Sequence, residues 1–226
     1  MQIMATIASG LQAVKLRINK AAKTPVALLA VSKTWSAQAV REAYAAGQKA
    51  FGESYVQEAL GKMKELSDLD LEWHFIGPVQ GNKAKAISEH FDWVHSIDRE
   101  KIALKLSETR PENLPPLQVC IQVNISGEAS KSGVPPDGVL HLAQIISGLP
   151  NLRLRGLMAI PEPTCDEKLR RARFGELRQL KEHLRESGFD LDTLSMGMSE
   201  DLESAILEGA TMVRVGSAIF GTRDKK

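Results

Sequence analysis

Lys33 lies near the end of the stretch Ala27-Leu28-Leu29-Ala30-Val31-Ser32-Lys33-Thr34. Five apolar residues lead into a serine and a lysine, and a helical pattern follows at once, so Lys33 falls where a buried parallel strand opens into a loop. A lysine at the rim of an apolar interior has its ammonium destabilised by desolvation, and a neutral amine adds to carbonyls to form Schiff bases. On this stretch alone the plainer reading, an ammonium that snorkels to water, is the commoner one. Two later segments shift that balance: Ser195-Met196-Gly197-Met198-Ser199 and Arg214-Val215-Gly216-Ser217. Gly197 and Gly216 let the backbone approach an anion closely, Ser195, Ser199 and Ser217 add hydroxyl donors, and the helices that follow present unpaired N–H groups. That composition suits a phosphate; the competing reading is that these residues serve only as turns and caps. Glu200 and Asp201 would oppose a phosphate if their carboxylates pointed inward.

Other candidates carry less. Arg214 alternates with Val213 and Val215, so if the valines pack against helices the arginine points inward and needs an acceptor, an ion pair with Glu53 being the simple alternative. His74, mid-strand in Trp73-His74-Phe75-Ile76, reads as a hydrogen-bonded core histidine, and His90, His95, His141 and His183 are scattered with no metal-ligand spacing. No GxSxG or HExxH occurs. The segment from Gly127 to Gly133 lacks GxxxxGK[ST] and reads as a flexible lid over the mouth.

These residues can meet only if the fold collects them. Ile7, Leu11, Val14 and Ile18 mark a first amphipathic helix, broken by Thr24-Pro25. Strand-like runs then alternate with helical patterns. They cover Val26 to Ser32, Lys49 to Glu53, Leu71 to Gly77, Asp92 to Ile97, Leu117 to Ile125, Leu152 to Ile160, Leu191 to Met196 and Thr211 to Gly216. Ser36 and Asp98 are placed to cap the helices after the first and fourth runs, and Val56, Leu60, Met63 and Leu66 mark the stripe of the helix after the second. Eight strands with seven intervening helices and a short eighth predict an α/β fold, a TIM-like (β/α)8 barrel with an extra N-terminal helix. An open doubly wound sheet is disfavoured by the strand count and by the absence of GxGxxG at the first turns. Barrels put every strand's carboxyl end at one mouth and often bind phosphate after strands seven and eight, where the two Gly–Ser segments fall.

The chain has 226 residues, 29 Lys plus Arg against 28 Asp plus Glu, a net charge of +1 and 43% hydrophobic residues. One domain over 1–226 accommodates this, and the charge balance provides no field for nucleic acid or a membrane surface. Two distant cysteines, Cys120 and Cys165, argue against a disulfide framework or a CxxC metal site and for a reducing cytoplasm. The first eleven residues lack the charged leader of a signal peptide, and no run reaches a membrane span of about 20 apolar residues.

The ordered segments Ala30-Val31-Ser32-Lys33-Thr34, Phe51-Gly52-Glu53 with Tyr55-Val56-Gln57-Glu58, Trp73-His74-Phe75-Ile76-Gly77 with Gln80, Asn82 and Lys83, Ser130-Lys131-Ser132-Gly133, Arg155-Gly156-Leu157-Met158, Leu194 to Ser199, and Val213-Arg214-Val215-Gly216 closely resemble the YggS/PROSC family of pyridoxal phosphate homeostasis proteins. That family resembles the barrel domain of alanine racemase, fold type III of the pyridoxal phosphate proteins. The resemblance implies a Schiff base between Lys33 and pyridoxal 5'-phosphate (PLP), with the phosphate held by Ser195, Met196, Gly197, Met198 and Ser199 together with Gly216 and Ser217, and Arg214 facing the pyridine nitrogen. It implies a cytoplasmic protein of intracellular vitamin B6 homeostasis without robust catalysis, apo PLP-dependent enzymes as partners, and no metal. Ser54 departs from the family, which usually has Asn there. A PLP-dependent amino-acid racemase is the enzymatic alternative, but it needs a second base, and this chain offers only Tyr44 and Tyr55 with ten residues after Gly216. A cofactor-free Schiff-base aldolase is a third reading. No dimer stripe is visible, so a monomer is expected.

Overall fold

The structure, a computed structural model, describes residues 6–127 and 132–222. Helix α1 (Ile7–Ala21) comes first; the Thr6 hydroxyl accepts from the Ser9 N–H, and Leu11, Val14 and Ile18 form the buried stripe that their spacing predicts. Then strand and helix alternate: β1 (Ala27–Val31), α2 (Ala37–Ala45), β2 (Ala50–Glu53), α3 (Val56–Glu65), β3 (Glu72–Phe75), α4 (Ala84–His90), β4 (Trp93–Ile97) and α5 (Glu100–Thr109). The second half continues with β5 (Leu117–Gln122), α6 (Val139–Ser147), β6 (Leu152–Met158), α7 (Glu167–Glu186), β7 (Thr193–Ser195), α8 (Leu202–Leu207), β8 (Met212–Val215) and α9 (Ser217–Phe220). Ser36 and Asp166 cap α2 and α7 through their side chains.

All eight strands are parallel and pair in chain order, and β8 closes on β1 with Ala27 opposite Met212 and Ala30 opposite Val215. The expected barrel is therefore closed, and its carboxyl ends share one mouth. Alternation sorts side chains into two layers. The large core lies between strands and helices and includes Phe51, Trp73, Phe75, Val213 and Val215, each large apolar side chain contributing about 1.5–3 kcal/mol on burial. Inside the barrel, Trp93, Cys120 and Met158 form a small separate cluster. His74, His95, Ser195 and Arg214, all buried, carry a hydrogen-bonded polar core beside it.

Three local expectations are corrected. Asp98 does not cap α5: its carboxylate accepts from Arg99, which is itself the capping position and makes no side-chain cap. In α3 Leu60 and Met63 are only half-buried, while Lys62 joins Val56 and Ala59 on the buried face, because three acceptors await its ammonium there. The fifth strand ends at Gln122, with Val123 bridging to Val134. Most of the expected lid, residues 128–131, lies outside the described residues. Among those described, no helix is long and apolar enough to cross a membrane.

Candidate functional site

Lys33 stands two residues past β1, half-buried at the mouth, in a loop gripped from both sides. The ammonium of Lys62, 5% exposed, donates to the Ser32 carbonyl at 2.7 Å, to Glu53 Oε1 at 2.7 Å and to Glu58 Oε1 at 2.5 Å. Glu58 Oε1 also accepts from the Thr34 N–H at 2.5 Å, and the Ser32 hydroxyl donates to Glu53 Oε1 at 2.6 Å. The peptide groups on either side of Lys33 are thus fixed by one buried ion cluster. The grip is firm enough to hold Thr34 at φ 70°, a left-handed conformation rare for a β-branched residue. Trp35 continues the loop, its ring stacked on Phe220 at 5.7 Å. Glu53 is fully buried and its Oε2 has no partner among the described residues. Burial pushes its carboxyl above the ordinary range, against the pull of the Lys62 ammonium.

The loops after β7 and β8 meet beside this one. Gly197 has φ 91°, and a Cβ there would lie 2.6 Å from Ala205 Cβ, so only glycine lets the loop turn against α8. A Cβ on Gly216 would lie 3.1 Å from the Val31 carbonyl, which sets the turn after β8 directly against the end of β1. The Ser217 hydroxyl donates to Ser199 Oγ at 3.0 Å, and the Ala218 N–H reaches the same oxygen at 3.4 Å. Lys33, Ser199, Gly216 and Ser217 therefore converge at the mouth. The two doubtful carboxylates are accounted for, since Asp201 accepts from the Met198 N–H at 2.5 Å and Glu200 is exposed; nearby, Glu203 is held by Arg17 of α1 at 2.7 and 2.8 Å. Arg17 also donates to the Ser199 carbonyl at 2.9 Å, so the N-terminal helix steadies this loop. Met198 is partly exposed, whereas Met196 buries its side chain in the core and spends its N–H on the Met212 carbonyl.

Arg214 does point into the barrel, but Glu53 is not its partner. Its Nη1 donates to the Ser195 carbonyl at 2.5 Å and the Ser195 hydroxyl at 2.8 Å, and Nη2 donates to the Ala159 carbonyl at 2.9 Å. Every acceptor is neutral. Burial lowers its pKa to about 10, still well above neutrality, so the guanidinium keeps its charge and has N–H donors in excess of these three bonds. The Ser195 hydroxyl, expected among the phosphate donors, is engaged inside the barrel by Arg214 and by His95 Nδ1 at 2.8 Å.

Sequence reasoning missed Lys62, Glu58, Arg17 and His95 as parts of this site. The i,i+4 pair Glu58 and Lys62 on α3 was visible, but nothing local says that a lysine will lie on the buried face. His95, expected among scattered histidines, is bonded to His74 at 2.9 Å. Among the described residues no group of three or more His, Cys, Asp or Glu is arranged to hold a metal.

The profile of the alanine racemase N-terminal domain matches residues 10–224, and the chain belongs to that family. Within it the similarity narrows further. The pyridoxal phosphate homeostasis protein of Pseudomonas aeruginosa is 60% identical, covering 98% of this chain and 97% of its own, and that of Escherichia coli K12 is 50% identical with 98% of each covered. The solved structure of PipY from Synechococcus elongatus PCC7942 with PLP bound superposes at a TM-score of 0.85, with 38% identity over 96% of this chain and all of that one.

Proposed function

We propose that this chain is a PLP-binding barrel of vitamin B6 homeostasis, one domain over 1–226 that holds the cofactor covalently through Lys33 without robust catalysis. The structure fits such a ligand. Its donor set pairs one lysine at the mouth with two serine hydroxyls 3.0 Å apart on glycine-bearing turns, suited to an aldehyde and a phosphate on the same small molecule. Bound PLP supplies a conjugated ring that can act as an electron sink. The relatives' shared name and the PLP in the PipY structure support the same reading.

The single observation that carries the proposal is the contact of the Gly216–Ser217 turn with the end of β1, which places the anion-suited turn within two residues of Lys33. The residues divide the work as follows. Lys33 supplies the amine that holds the aldehyde carbon, and the Glu53–Lys62–Glu58 cluster fixes its loop. Ser199, Ser217 and the backbone around Gly197, Met198 and Gly216 hold the phosphate, with Met196 and Ser195 shaping that loop from within. Arg214, cationic and free of a carboxylate, offers a donor to the pyridine nitrogen; a donor there keeps the nitrogen unprotonated and the ring a poor electron sink. The cofactor is held rather than exploited. Tyr55, at the start of α3 and 56% exposed, is the tyrosine that the racemase reading would need as its second base.

We further propose a cytoplasmic monomer, consistent with two free cysteines, that passes PLP to apo-enzymes. Purified protein should be yellow with PLP, and borohydride should fix the cofactor's mass on Lys33. Lys33→Ala should lose the adduct and keep weak, phosphate-mediated retention. Steady turnover of an L-amino acid by the parent, lost in Lys33→Ala, would replace the carrier by a racemase. A protein with neither colour nor adduct would refute both.

A further inference from the structure

His74 and His95 take no part in the site as proposed, yet both are completely buried in the middle of the barrel and bonded to each other. The bonds continue in both directions. Arg214 Nη1 lies 2.8 Å from Ser195 Oγ, Ser195 Oγ lies 2.8 Å from His95 Nδ1, His95 Nε2 lies 2.9 Å from His74 Nδ1, and His74 Nε2 lies 2.5 Å from Glu72 Oε1. Glu72 begins β3, at the amino-terminal end of the barrel strands, and is half exposed; Ser195 ends β7, at the mouth. The chain therefore runs the length of the barrel interior.

Its direction follows from what each end can do. A guanidinium only donates and a carboxylate only accepts, so with neutral rings His74 must carry its proton on Nε2, which makes His74 Nδ1 an acceptor. His95 must then carry its proton on Nε2, and its Nδ1 accepts the hydroxyl hydrogen of Ser195. That leaves an oxygen lone pair of Ser195 for Arg214. One added proton changes this. If His74 gains a proton on Nδ1, that N–H donates to His95 Nε2, the His95 proton shifts to Nδ1 and donates to Ser195 Oγ, and the serine hydrogen loses its acceptor. Ser195 would then take two donors at once, and Arg214 would share its acceptor with an imidazole.

We propose that His74 and His95 are positioning residues that set the Arg214 guanidinium through Ser195, a relay that carries the protonation state of the amino-terminal end of the barrel to its mouth. Its bearing on the cofactor rests on the reading that Arg214 faces the pyridine ring. The surrounding charges are placed for such a relay. Glu72, Asp92 and Arg155 face the His74 end, and the Trp93 ring stacks on His74 at 5.3 Å. Arg214 faces the His95 end, Cys120 and, from the loop after β7, Asp201 face Arg214, and Asp192 pairs with Arg155. Burial, the neighbouring His74 and Arg214 hold His95 well below the ordinary imidazole range, while the Glu72 carboxylate against His74 Nε2 puts the one directly bonded counter-charge at the other end of the pair.

The test uses the full chain. Side-chain ¹⁵N NMR of the ligand-free protein at pH 8 should show both rings as Nε2–H tautomers; an Nδ1–H tautomer on His95 overturns the relay. On lowering the pH, the Arg214 guanidinium signals should move with the His74 midpoint. Glu72→Gln, a change at a half-exposed position that removes the carboxylate bonded to His74 Nε2, should move that midpoint down and shift the Arg214 transition with it. Arg214 signals that ignore the His74 midpoint in the parent, or a midpoint that shifts in Glu72→Gln without them, overturn the proposal. With PLP added, the absorbance should show the same two midpoints. An absorbance indifferent to pH beside coupled Arg214 signals would keep the relay and overturn the placement of Arg214 on the ring.

Discussion

Replacing Lys62 by methionine removes the one cation from a cluster whose Lys62–Glu53 pair is buried. In the parent its ammonium makes three hydrogen bonds, to a carbonyl and two carboxylates, at 2.5 to 2.7 Å, and Glu53 beside it is fully buried. Methionine fills a similar volume, so little packing is lost. What remains is a buried carboxylate with only the Ser32 hydroxyl as donor. Breaking a buried pair from one side costs about 3–5 kcal/mol, whereas an exposed pair contributes about 1 kcal/mol or less. At about 2–4 °C per kcal/mol for a chain of this size, the midpoint of thermal unfolding should fall by about 6–20 °C. The pH dependence carries a sign. Burial already holds the Glu53 carboxyl above its ordinary 4.5, and loss of the ammonium raises it further. The folded state then binds more protons than the unfolded one between the two pKa values, so stability falls as pH rises through that interval. The deficit of Lys62→Met should therefore be smallest below pH 4.5 and grow toward neutrality. Glu53→Gln combined with Lys62→Met should recover about half or more of it, because the stranded charge is gone. The measurement is equilibrium urea unfolding of the three proteins across pH. A single variant within about 1 kcal/mol of the parent at neutral pH, or a deficit that does not change with pH, would refute the reasoning.

Other consequences are simpler. Gly197→Ala forces a side chain onto φ 91° with its Cβ 2.6 Å from Ala205 Cβ, so it should lose about 1–3 kcal/mol in the same unfolding assay and weaken PLP retention; unchanged values would show that the loop relaxes freely. A thiol reagent should label one cysteine in the native protein, the exposed Cys165, and two after unfolding. Cys120 is buried and its thiol is pushed up to about 12, so rapid native labelling of both would contradict its enclosure.

The sequence by itself determined the architecture. Alternating apolar runs and amphipathic stripes are local signals, and eight of each leave few topologies once parallel strands must be joined by right-handed crossovers. That Lys33, Gly197, Ser199, Gly216 and Ser217 would come together was legible for the same reason, since strand ends in a barrel share one mouth wherever they lie in the chain. Alternation also turned Arg214 inward, as the structure has it. What it could not tell was the partners. An inward Arg214 needs acceptors, and they are Ser195 and Ala159 rather than Glu53, the simple alternative, whose own partners are Lys62 and Ser32. His95 and His74 sit 21 residues apart in sequence and 2.9 Å apart in the barrel. Periodicity assigns a side chain to a face, but which polar groups on that face touch depends on strand stagger and barrel closure, and these belong to the packed structure alone.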